Sequence, residues 1–166
     1  MRTTVSWRRW RGLTLIELAV AMALLVMLAT LAIPSFAEML QRQRLNAAAE
    51  TLAADLAEAR MRAAERARTL HITTAAGDGA CWAIATGTEC DCRIAQACRI
   101  KAGRLSDFKG VAWNTVEPTA FTAEGQGQGA LELRNARGQL LRLEVLPMGR
   151  ARLCSPGGAD PRHAAC

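Results

Sequence analysis

An uncharged apolar run from Leu18 to Ala37 constrains the fold of this chain more than any other feature. A helix of that length is about 30 Å long, which matches the hydrocarbon core of a bilayer. Basic residues precede the run, and a single carboxylate, Glu17, stands at its start. An ionisable group at the edge of a membrane span usually has a partner and a function. Arginines before the span predict that the N-terminus stays in the cytoplasm and the remainder is exported.

The segment Arg11-Gly12-Leu13-Thr14-Leu15-Ile16-Glu17-Leu18 resembles the class III signal of type IV pilins and type II secretion pseudopilins. The resemblance implies that a prepilin peptidase cuts after Gly12 and methylates the new N-terminus at Leu13. It also implies that Glu17 pairs with the ammonium of a neighbouring subunit's Leu13, and that Pro34 kinks the helix. The alternatives are an ordinary secretory signal or a plain signal anchor. The glutamate and the twenty-residue length of the apolar run argue against a secretory signal.

The net charge of +6 overstates how basic the working protein is, because the predicted leader (1–12) carries four of the arginines. The rest of the chain is close to neutral. At 166 residues there is room for one modest domain beyond the apolar helix (13–37). We therefore expect an amphipathic half-helix (38–70) followed by a β-rich periplasmic head (71–166).

Six cysteines lie on the side that is predicted to be exported, which favours disulfides over free thiols. They are Cys81, Cys90, Cys92, Cys98, Cys154 and Cys166. Our preferred pair is Cys154 with Cys166, because it would tie the C-terminal tail to the last strand. Cys90 and Cys92 are too close to pair with each other, so Cys81 and Cys98 are their candidate partners. No metal site is predicted, since a second well-spaced ligand pair is missing.

Periodicity predicts one long helix and then short strands. Between residues 38 and 70 an alanine-rich apolar stripe recurs at three- and four-residue steps, and a sheet is its natural packing partner. The stripe comprises Leu45, Ala49, Leu52, Leu56, Ala59 and Ala63. Later segments alternate as strands do: 71–74, 82–86, 111–114 and a hairpin of 130–134 with 139–146. Residues 88–101 are expected to form a disulfide-stapled loop, and 123–129 a glycine-rich connection. We therefore expect an α+β fold with a long helix packed on a small antiparallel sheet, which the resemblance of the signal implies is type IV pilin-like.

The segment Gly149-Arg150-Ala151-Arg152 is the second candidate site. Alternation along an extended segment places Arg150 and Arg152 on one face, and Gly149 frees the backbone to turn and lets a ligand approach. Together with Asp55-Leu56-Ala57-Glu58-Ala59-Arg60, it resembles the FimT/GspH branch of the minor pilins, in which this motif is associated with DNA binding during natural transformation. Arg134, Arg137, Arg142 and Arg162 extend the candidate patch. The structural alternative is that the arginines solvate a strand and pair with Glu144 or Asp160.

The sequence offers no catalytic constellation and no nucleotide loop, so we expect neither an enzyme nor a cofactor. The leading expectation is a minor type IV pilin that binds double-stranded DNA without sequence preference for uptake. A GspH-type pseudopilin of a type II secretion system, or a structural pilus-priming subunit, is the alternative. The expected partners are other pilins, the prepilin peptidase, DNA and inner-membrane lipid before assembly. The expected location is the inner membrane and then the pilus or pseudopilus.

Overall fold

A computed structural model describes residues 14–158 and 160–166, and it divides the chain into two compact units, Met1–Glu38 and Met39–Cys166. Helix α1 (Leu15–Glu65) contributes residues to both units. In the first unit its large apolar side chains are exposed, among them Leu25, Met27 and Phe36. In the second unit its buried stripe is the predicted one, with Ala48 added. The prediction of an amphipathic half-helix is confirmed for the part that packs on the head.

Helix α1 ends at Glu65 rather than near Leu70, because a left-handed residue terminates it. Ala67 has a φ of 48°. The amide of Arg68 donates to the carbonyl of Ala63 (3.1 Å), and that of Ala67 donates to Ala64 (3.2 Å). This pair of bonds is a Schellman motif, which satisfies carbonyls that the last helical turn leaves open. The chain is thereby turned directly into the first strand.

Within the described residues nine strands follow α1, in two antiparallel sheets. Their bounds are β1 (Leu70–Ala75), β2 (Cys81–Ala85), β3 (Arg99–Arg104), β4 (Val111–Val116), β5 (Thr119–Phe121), β6 (Gly127–Gln128), β7 (Ala130–Asn135), β8 (Leu140–Val145) and β9 (Ala151–Cys154). One sheet has the order β3-β2-β1-β5-β6 and the other β4-β7-β8-β9. The predicted strands and the hairpin are confirmed. The expected loops were partly wrong, because residues 99–101 belong to β3 and residues 127 and 128 to β6.

Both sheets share one apolar core with the second half of α1. Trp82 from β2 and Trp113 from β4 meet edge to face, with ring centroids 6.4 Å apart. The Trp82 indole N–H donates to the buried carboxylate of Asp55 (2.6 Å), and Lys101 Nζ lies 2.7 Å from the same carboxylate. A buried charge needs such partners, so this network fixes the helix against β2 and β3. It also explains why charged Lys101 lies inside a strand.

The six cysteines form three disulfides: Cys81–Cys92, Cys90–Cys98 and Cys154–Cys166. The preferred pairing of Cys154 with Cys166 is confirmed, as is the assignment of Cys81 and Cys98 as partners of the middle two. Cys154–Cys166 holds the tail, whose Ala164 carbonyl accepts from the amide of Ser155 (2.8 Å). His163 Nε2 lies 2.6 Å from Asn46 Oδ1 on α1. The C-terminus is therefore attached to β9 and to the helix.

Candidate functional site

The described part of the signal region shows a capped helix start. Thr14 Oγ1 accepts from the amide of Glu17 (3.2 Å), and the Thr14 carbonyl accepts from Leu18 (3.1 Å). Thr14 is thus the N-cap and Glu17 lies in the first turn, where the helix dipole favours a carboxylate. Glu17 has this local role in addition to the predicted assembly role. Gly12 and Leu13 lie outside the described residues.

The N-terminal part of α1 is suited to lipid. Among the described residues, α1 is the one helix long and apolar enough to cross a membrane, with a mean hydropathy of 2.5 in its most apolar stretch. Many of its large apolar side chains are more than half exposed, for example Leu15 at 87%. The helix continues through position 34, as predicted, and a kink at Pro34 stays a prediction.

Gly149 lies in the loop that joins β8 to β9, at a φ of 73°. Its amide donates to the Leu146 carbonyl (2.7 Å), and the Leu146 amide donates to the Arg150 carbonyl (3.0 Å). A glycine at the left-handed position is what such a short hairpin loop needs. A Cβ at Gly149 would lie 2.0 Å from the carbonyl oxygen of Gly125. The close approach that this glycine permits is therefore made by the chain's own backbone.

Arg150 and Arg60 line the same groove beside this loop. Its volume is about 500 Å³, and Met61 of α1 and Glu124 also line it. Arg60 Nε donates to the Gly125 carbonyl (3.1 Å). The Arg150 side chain is exposed and has no hydrogen-bond or ion-pair partner among residues 14–158 and 160–166. Arg60 was not a predicted site residue, since only the fold brings it near a loop 65 positions away.

Arg152 and Arg142 are ion-paired on the outer face of the second sheet. Arg152 Nη2 lies 2.7 Å from Glu144 Oε2, and this bond lowers the pKa of Glu144. Arg142 lies 2.8 Å from Glu117 and 3.2 Å from the other Glu144 oxygen. Arg150 and Arg152 are both exposed, but only Arg152 belongs to β9, so their placement on one face stays a prediction. The alternative that Arg152 pairs with Glu144 matches the observed contact.

The remaining predicted arginines differ in their partners. Arg162 binds Asp160 (3.0 Å) and lowers the pKa of that carboxyl to about 2. Arg137 is exposed in the turn between β7 and β8. Arg134 is exposed on β7 and has no side-chain partner within the described part of the chain. Arg134 and Arg150 are thus the predicted arginines most accessible to an anion.

Comparison with known proteins supports the reading of the signal and the fold. A family model for the prokaryotic N-terminal methylation motif matches residues 7–33. The crystal structure of the type IV minor pilin FimU from Pseudomonas aeruginosa is similar, with 22% identity and a TM-score of 0.53. The similarity covers 74% of this chain and 96% of that one. No curated protein sequence matches. The chain has the type IV pilin fold, one long N-terminal helix packed on antiparallel sheets.

Proposed function

We propose that this pilin-like chain is a minor subunit of a type IV pilus and that its head binds DNA. The methylation motif, the exposed apolar helix and the fold support a filament subunit. A prepilin peptidase would release residues 1–12. Before assembly the chain would reside in inner-membrane lipid with its head in the periplasm. In the filament other pilins would surround its helix. No catalytic role is part of this proposal.

The observation that carries the DNA proposal is the exposed Arg150 guanidinium, which no carboxylate of the described residues neutralises. Arg60 adds a second cation to the groove that Arg150 lines, and Glu124 offsets part of it. A guanidinium binds phosphate in a fork of hydrogen bonds, so such a groove edge suits a nucleic-acid backbone. Trp82 and Trp113 are buried, so base stacking has no support and binding should not depend on sequence.

Of the two motif arginines, Arg152 is expected to bind phosphate more weakly than Arg150. To bind a phosphate it must give up or share Glu144, which lies 2.7 Å from it. The Glu144 carboxylate would repel a phosphate bound next to it, and this repulsion offsets much of the attraction between the phosphate and Arg152. We therefore expect weak, salt-sensitive binding with one or two phosphate contacts from this loop.

The same ion pairs favour the alternative functions. Arg142 and Arg152 with Glu117 and Glu144 form a balanced, self-satisfied surface. Such a surface suits a GspH-type pseudopilin of a type II secretion system, or a priming pilin, in which the head makes only assembly contacts.

DNA binding by single-arginine variants tests the proposal. We expect the full chain in neutral detergent to bind a fluorescent duplex near 50 mM salt, measured by anisotropy. Arg150→Gln should make the plot of log affinity against log salt shallower by about 0.9, the value of one phosphate contact. Arg152→Gln should have a smaller effect because Arg152 is already paired. Arg66→Gln, at an exposed position on the short segment after α1, is the matched loss of charge. If Arg150→Gln binds as the parent does, or the parent does not bind, the secretion or priming function replaces this one.

Processing tests the subunit assignment separately. We expect mass spectrometry of the mature protein to give an N-methylated Leu13 as the first residue. Gly12→Val should retain the leader, because a branched side chain crowds the backbone that the peptidase must reach. A mature N-terminus elsewhere would exclude a type IV pilin signal.

A further inference from the structure

Three arginines line a cleft on the outer face of the first sheet. Arg93, Arg99 and Arg104 surround a cavity of about 460 Å³, whose wall includes the Cys81–Cys92 disulfide. We call it the arginine cleft. Arg93 comes from the disulfide-stapled loop, and the other two come from the ends of β3. None of them belongs to the predicted DNA patch.

The protein backbone orients two of these guanidinium groups. Arg93 Nη2 donates to the carbonyl of Ala76 (2.9 Å), and Arg99 Nη1 donates to the carbonyl of Cys92 (3.1 Å). Each bond uses one nitrogen of a group that carries five N–H donors. A carbonyl supplies only a dipole, so both groups keep their full charge while their side chains are held in place.

Arg104 completes the cleft without a partner. Its backbone lies opposite Cys81 in the register of β2 with β3, so it shares the disulfide's face of the sheet. The side chain is exposed, and no acceptor among residues 14–158 and 160–166 binds it.

The cleft carries three positive charges, and the nearby carboxylate of Asp91 offsets only part of them. No carboxylate is among the described residues that line it. Asp91 is the nearby acid, with a carboxylate oxygen within 4.8 Å of the Cys81 and Cys92 sulfurs. That carboxylate accepts from the backbone amide of Arg93 (2.8 Å), so it holds the loop in shape. Three like charges around one cavity repel each other, and an anion between them would relieve the repulsion.

We propose that the arginine cleft binds a phosphate group, either free phosphate or a phosphodiester of a nucleic-acid strand. The planar guanidinium fork matches the oxygen geometry of phosphate, and several forks converge on one cavity here. The carbonyls of Ala76 and Cys92 and the Cys81–Cys92 disulfide preorganise the site, so little side-chain freedom remains to be lost for two of the three arginines. The proposal does not depend on DNA binding at Arg150.

Thermal unfolding in phosphate tests the site directly. A ligand that binds only the folded state raises the melting temperature. We expect the full chain in neutral detergent to melt at a higher temperature in sodium phosphate than in sodium chloride of equal ionic strength. Arg104→Gln should leave only the general stabilisation that phosphate, as an excluded salt, gives to a folded protein, and Arg104→Lys, which keeps the charge but loses the fork, should retain part of the additional rise. Arg66→Gln should behave as the parent does.

Melting in chloride serves as the folding control, because Arg104→Gln, which relieves like-charge repulsion, should there melt no lower than the parent. An equal rise in phosphate for Arg104→Gln and the parent would overturn the proposal, as would no rise in either protein.

Duplex binding by anisotropy then identifies the source of the phosphate. Loss of affinity in Arg104→Gln that adds to the loss in Arg150→Gln supports a nucleic-acid strand. Unchanged duplex affinity, with the phosphate effect lost, supports free phosphate. The two sites can thus fail independently.

Discussion

Gly149 shows how a motif residue can be required by the fold itself. Its positive φ and the contact with the Gly125 carbonyl both exclude a side chain. The next two residues of the motif differ from each other, since Arg150 is open to solvent and Arg152 is paired with Glu144. The loop geometry therefore accounts for the glycine, and ligand binding is a question for the arginines.

We predict that Gly149→Ala destabilises the head by about 1–3 kcal/mol, because it combines a strained φ with a backbone clash. Thermal unfolding measures the loss. Gly138→Ala is the matched control, with a φ of 78° and no atom within 4 Å of the added Cβ. It should show the cost of φ alone. Equal losses in the two variants would mean that the loop moves away from Gly125 without cost.

At the scale of elements, the end of α1 contains a correctable strain. Ala67 occupies the left-handed position of the Schellman motif, where glycine is the usual residue. We predict that Ala67→Gly stabilises the head by about 0.5–1 kcal/mol, because relief of the strain exceeds the added freedom of the unfolded chain. Ala54→Gly, at an exposed position within α1, should instead cost about 1 kcal/mol. Thermal melts of both variants check that the two changes in stability have opposite signs. A loss of stability in both variants would contradict the argument from strain at Ala67.

Elements with a regular spacing of apolar residues could be predicted from the sequence, and elements without such a spacing could not. The apolar stripe of α1 and the alternation of β7 and β8 follow from which side faces the core. Strand β3 has no such alternation, because Lys101 faces Asp55 of α1 and Gly103 lies beneath the Trp82 ring. Strands β5 and β6 are only three and two residues long. Their pairing depends on neighbours distant in sequence.

At the scale of the whole molecule, one disulfide controls the C-terminal tail. Cys154–Cys166 spans 12 residues and holds the tail that contacts Ser155 and Asn46. We predict that replacing both cysteines by serine costs about 2–3 kcal/mol and exposes the bond after Arg162 to trypsin. Cleavage followed by mass spectrometry measures the exposure. Replacing Cys90 and Cys98 instead should leave that bond protected. A tail that resists trypsin without Cys154–Cys166 would mean that the hydrogen bonds suffice.

The candidate sites could be identified fully only in the folded chain, because folding brings their residues together. The sequence indicated Arg150 and Arg152 through their spacing, but it could not decide between pairing with Glu144 and exposure, which depends on the β8–β9 register. Arg60 reaches the same groove from α1, and the three arginines of the arginine cleft come from segments with no shared pattern. Proximity across strands is set by folding and leaves no local trace in the sequence.

The arrangement of the first four cysteines limits how their disulfides can form correctly. Cys81–Cys92 and Cys90–Cys98 close spans of 11 and 8 residues, and the two spans overlap. The exchanged pairing, Cys81 with Cys90 and Cys92 with Cys98, would close loops of similar size. Closure entropy separates such loops by only a few tenths of a kcal/mol. An oxidant acting on the unfolded chain would therefore form both pairings, so the observed pairing requires either that strand β2 presents Cys81 to Cys92 before the sulfurs react or that later thiol–disulfide exchange corrects it.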